Sequence, residues 1–166
     1  MSKNVLVRRV AKTAAVLSIA VGASLGSADA ASAAGVGEMT CRPLSGSNVC
    51  LTITDVGGGV YSVHVGIDVS MSRSAAQTII NQPGQAFYAD LIGDDPSYDN
   101  ALTPIPLTYE TFGDEGLSAE FDGFVSGSTL NEDWEGRDEV YARVRLFDTR
   151  YNSPRTFTTG NVEHSF

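Results

Sequence analysis

Beyond Lys12 the sequence contains no lysine, and its 166 residues include only two histidines, two cysteines and one tryptophan. Each scarcity narrows what the chain can do. With eleven basic residues against twenty acids and a formal charge of −9, nucleic acid and anionic membrane surfaces are poor partners, since both need a clustered positive field. No histidine and no third cysteine stands at metal-ligand spacing from Cys41 and Cys50, which argues against zinc. Gly-x-Ser-x-Gly, His-Glu-x-x-His and a glycine-rich phosphate loop are all missing. So is the Asp-x-Asp-x-Asp-Gly run of an EF-hand. His64 falls on the polar side of a predicted strand and His164 lies near the C-terminus, neither with a nucleophile beside it in sequence. The enzyme reading that survives is a carboxylate pair acting on a glycosidic bond at a separation of about 5–10 Å. In so acidic a chain that is the least favoured reading.

One apolar run is present, and it reads as an export signal. Lys3, Arg8, Arg9 and Lys12 precede the uncharged stretch 13–27, and two Ala-x-Ala sites follow, ending at Ala30 and Ala33. The run is shorter than the roughly 20 apolar residues of a membrane span. Arg8-Arg9 has no Ser or Thr directly before it, so the general secretory route is expected over the twin-arginine route. The sequence thus predicts a signal peptide over 1–30, with cleavage after Ala30 or Ala33. A flexible N-terminus over 31–40 and a single domain over 41–166 follow, in a secreted, extracellular product not inserted in a membrane. Removing Met1–Ala30 takes four basic residues and one acid, leaving seven arginines against nineteen acids, a formal charge of −12. In an exported chain the close pair Cys41 and Cys50 reads as a disulfide.

The remaining chain alternates. Val49, Leu51 and Ile53 interleave with polar residues, and Tyr61, Val63, Val65, Ile67 and Val69 do so over nine consecutive positions. Asp55–Gly59 between them predicts a hairpin turn. Ser72 or Ser74 caps an expected short helix that stops before Pro83-Gly84. Further strands are expected over 86–92, 105–110, 117–124, 140–147, 155–159 and 162–166. In the fourth, Ile105, Leu107 and Tyr109 share a face, and Pro104 and Pro106 assign it to a sheet edge. Seven or eight short strands, one short helix and one disulfide predict an all-β fold, an antiparallel β-sandwich of immunoglobulin-like or C2-like shape, with a barrel as the alternative. If the 117–124 and 140–147 strands pair, Glu120 and Asp122 form a charge ladder with Arg143 and Arg145.

Two acidic loops carry the candidate chemistry. Asp94, Asp95 and Asp99 lie in one; Glu132, Asp133, Asp138 and Glu139 lie in the other. Both place two acids, a spacer and a further acid beside a predicted strand, a pattern that resembles the aspartate-bearing loops of C2 domains. That resemblance implies calcium held by Asp94, Asp95, Asp99, Asp133 and Asp138, with oxygen ligands drawn from both loops. The same residues also suit solvated turns that keep sheet ends from pairing. No other cofactor is expected. Trp134, Tyr98 and Tyr151 fall in predicted loops, where amphipathic rings suit contact with an extracellular protein or glycan. The functional expectation is a secreted, non-enzymatic binding module, with an inhibitor of an extracellular enzyme or a carbohydrate-binding module as alternatives.

Overall fold

A computed structural model describes residues 37–95, 98–131 and 137–166. The chain divides into Met1–Ala31 and Ser32–Phe166, and every described residue belongs to the second unit. Its elements run β1 (Glu38–Leu44), β2 (Ser47–Gly57), β3 (Val60–Ser70), α1 (Arg73–Ile80), β4 (Phe87–Gly93), β5 (Asn100–Ile105), β6 (Leu107–Gly113), β7 (Gly116–Ser126), α2 (Gly127–Leu130), β8 (Asp138–Leu146), β9 (Arg155–Thr158) and β10 (Val162–His164).

Alternation decides which side of each strand is dry. Val49, Leu51 and Ile53 of β2, Val63 and Val65 of β3, and Leu117, Ala119 and Phe121 of β7 are all buried. Between Gly57 and Val60 the chain reverses through Gly58 and Gly59, both at positive φ (67° and 71°), the backbone a two-residue hairpin turn demands. One sheet has the order β1-β2-β3-β7-β6 and the other β10-β8-β4-β5, with β9 also on β8; every pairing is antiparallel. The inward faces of both sheets join in one hydrophobic core that includes Val65 and Phe121 from the first and Phe87, Leu91 and Val144 from the second. Two layers over one core make this an all-β antiparallel sandwich.

Cys41 and Cys50 form the disulfide, directly opposite one another across β1 and β2 with Cα atoms 4.1 Å apart. The helix is also present. The Ser72 hydroxyl accepts a hydrogen bond from the Ala75 N–H (3.3 Å), and Ala76 and Ile79 are buried beneath α1.

The structure departs from the sequence reading in four places. There are ten strands among the described residues, not seven or eight, and two helices, not one. β1 begins inside the stretch expected to be flexible; no residue of it is fully buried, so it carries no hydrophobic signal. The expected strand over 105–110 is two strands in different sheets, β5 and β6, with the chain crossing over at Pro106. Both are edge strands, as the prolines require, and a register shift between Leu107 and Tyr109 turns Tyr109 outward to 54% exposure. Finally, β7 and β8 lie in different sheets, so the expected charge ladder does not form. Arg143 pairs with Asp99 (3.2 Å) and Arg145 with Asp90 (2.7 Å), while Asp122 bonds His64 (2.8 Å).

Candidate functional site

Leu146 ends β8 on the apolar side of its sheet, and the chain must then turn before β9 can return along the same strand. That turn, 147–154, faces α1 across a groove of about 550 Å³. Met71, Ala75 and Ile79 come from the α1 side, Leu146 from β8, and Tyr151, Asn152 and Ser153 from the turn. The side chain of Gln82, just past α1, ties the two walls together. Its Nε2 donates to the Phe147 carbonyl (2.7 Å) and its Oε1 accepts from the Thr149 N–H (2.9 Å). An apolar floor with a few convergent polar groups is the common character of a ligand site, because the floor supplies desolvation and the polar groups supply orientation.

Of the three charged side chains at the rim, Asp148, Arg150 and Arg155, the first two pair with each other. Arg150 forks onto Asp148, Nε to Oδ1 at 2.8 Å and Nη2 to Oδ2 at 2.6 Å. The hydrogen bonds from Arg150 hold the Asp148 carboxyl below its ordinary range, against the opposing effect of burial. Tyr151 is 69% exposed, with the Arg150 guanidinium carbon 5.9 Å from its ring centre. Arg155, at the start of β9, stacks over Phe157 at 5.1 Å. A larger depression of about 660 Å³ opens elsewhere, near Asp68, Asp114 and Glu115, but it lacks a comparable apolar floor.

The structure brings the ends of the acidic loops side by side. The Asp94 N–H donates to the Glu139 carbonyl (2.8 Å), joining the end of β4 to the start of β8. The carboxylates already have donors of their own. Asp94 accepts from Asn161 (2.6 Å), Asp95 from Asn100 (3.1 Å), and Asp99 from both Tyr141 (2.6 Å) and Arg143 (3.2 Å). Asp138 is buried. Among the described residues no group of three or more His, Cys, Asp or Glu side chains could hold a metal ion. Asp133 and Trp134 lie outside the described residues. Tyr98 is 66% exposed in the first acidic loop.

One polar constellation escaped the sequence reading. On the outer face of the first sheet, Thr108 Oγ1 donates to Asp122 Oδ2 (2.5 Å) while His64 Nδ1 bonds Asp122 Oδ1 (2.8 Å). The carboxylate sits between hydroxyl and imidazole, so His64 makes no hydrogen bond to the hydroxyl of the kind a general base would need. The Asp122 carboxyl is held low, chiefly by the Thr108 hydroxyl, against burial and with help from His64. No spacing in the sequence announces this cluster, because its three members come from β6, β7 and β3. Gln82 escaped for the same reason.

Compared with known proteins, this chain matches no family model, no curated protein and no solved structure.

Proposed function

We propose that this chain is an exported, non-enzymatic binding module whose contact is the groove between α1 and the 147–154 turn. The observation that carries the reading is the half-buried apolar surface of Met71 and Ala75, laid over the buried Ile79 and Leu146, beside an exposed tyrosine in a wall fixed by both ends of the Gln82 amide. Tyr151 offers a large amphipathic surface at a small cost in side-chain entropy, which suits a contact residue. An aliphatic floor favours a partner with apolar side chains, as a protein has, over a glycan, whose hydroxyls gain nothing from contact with it. The resemblance of residues 1–30 to an export signal supports a partner outside the cell.

Two substitutions test this. Tyr151→Ala removes the ring at the rim, and Ala75→Glu puts a charge on the half-buried helical wall. Both variants are expected to melt within a few degrees of the parent, since neither position is in the fully buried core. In a protein and peptide array both are expected to lose partners the parent retains. Unchanged binding profiles for both would refute the groove as the contact.

A further inference from the structure

Resting on that reading, we propose that the groove recognises a peptide segment presenting an apolar side chain beside a carboxylate. The apolar group seats on Met71 and Ala75, above the buried Ile79 and Leu146, and the carboxylate meets Arg155.

Seven arginines lie among the described residues, and six have hydrogen-bond acceptors there. Arg73, Arg143, Arg145 and Arg150 donate to carboxylates, Arg42 to the Thr158 hydroxyl and Arg137 to the Glu163 carbonyl. Arg155 is the seventh. It makes no such bond among the described residues, although Asp148 lines the same groove and is taken up by Arg150. Stacking on Phe157 fixes the Arg155 guanidinium without using its N–H groups, which leaves a rigid five-donor fork at the edge of an apolar surface.

Counting Asp148, Arg150 and Arg155, the lining carries one net positive charge on a protein that is otherwise strongly acidic. The repulsion that a distant carboxylate ligand meets from the rest of the molecule is screened beyond about 8–10 Å at physiological salt, whereas the contact with Arg155 is not. The charge of the site is therefore complementary to one carboxylate. The floor is complementary to something apolar, and the two must arrive on one molecule. Asn152 and Ser153, both exposed on the rim, supply amide and hydroxyl groups that a peptide backbone can pair with and that an acyl chain would leave without partners.

Fluorescence anisotropy with labelled Gly/Ser hexapeptides tests the proposal. Each peptide carries one central Leu or Phe followed by Glu, Gln or Lys, and is titrated with the purified protein. With the parent protein, the Glu peptides are expected to bind about tenfold more tightly than the Gln peptides, and the Lys peptides most weakly. Arg155→Gln brings Glu and Gln together, and Arg155→Glu reverses the order in favour of Lys. Arg155 is exposed at a strand end, so both variants are expected to keep the parent's circular-dichroism melt, and the milder one serves if the other does not fold. Equal binding of Glu and Gln peptides, abolished by Ala75→Glu, would overturn the carboxylate inference while leaving the groove reading intact. Absence of binding by any peptide, or binding that Ala75→Glu leaves unchanged, would overturn both. Palmitate competing with the peptides in an Arg155-dependent way would assign the site to an acyl chain and overturn the peptide.

Discussion

Asp122 ties three strands with one side chain: its own β7, β6 through Thr108 and β3 through His64. These bonds favour the ionised carboxyl in the folded state, so its folded pKa lies below the unfolded one. The stabilisation is present above the unfolded carboxylate value of about 3.9, and it fades as the pH falls through the depressed folded value. Asp122→Asn is therefore expected to flatten the acid limb of a stability profile, read as the urea midpoint from pH 5 down to pH 2. An acid limb as steep as the parent's would show that these bonds do not carry the pH dependence. The effect is small because Asp122 is half exposed. Residues of this kind are the least legible in a sequence. Asp122 and His64 each read correctly as outward-facing members of alternating strands, but their meeting depends on β3 and β7 being neighbours, which period two does not encode.

Among the elements, β1 shows what holds an edge strand that buries nothing fully. It has its ladder to β2, the disulfide, and the Arg42 hydrogen bond to Thr158 across the sandwich edge. Closing so short a loop stabilises by roughly 2–3 kcal/mol on the chain-entropy account. The paired change Cys41→Ser with Cys50→Ser is expected to lower the melting temperature by several degrees. Hydrogen exchange should accelerate at 38–44 while the β2–β3 ladder keeps its protection, and uniform acceleration across both sheets would contradict this local role. The cysteines were legible and the strand was not, because the hydrophobic pattern by which strands are read is absent where no face is dry. The sheet-crossing at Pro106 was hidden differently. Ile105 and Leu107 keep an unbroken alternation, and only the partners of β5 and β6 reveal that the chain has changed layers.

At the scale of the whole molecule the fold rests on strands whose alternation is clean. Phe121 of β7 and Phe87 of β4 are fully buried on opposite sheets within one core. Phe121→Ala is expected to cost about 3–5 kcal/mol, against about 1 kcal/mol or less for Phe124→Ala on the same strand. Phe124 is 75% exposed, so chemical denaturation of the two variants separates core from surface directly. The sandwich was legible because β2, β3, β7 and β8 each carry one apolar face, and two such layers have few ways to dry themselves. The groove was legible only in part. Tyr151 stood out as an aromatic in a loop, but the floor from Met71 and Ile79 and the clamp from Gln82 arise where α1 meets a turn about seventy residues later, a long-range meeting that no local pattern announces.

The placement of the disulfide also sets how the domain answers to force. Tension on the chain ahead of β1 loads the ladder one rung at a time: Glu38 against Ile53, Met39 against Thr52, then Thr40 against Leu51. The next rung is covalent. Peeling therefore stops at Cys41, and the load passes to β2, a strand bonded along both edges, where further extension must shear a sheet instead of unzipping its margin.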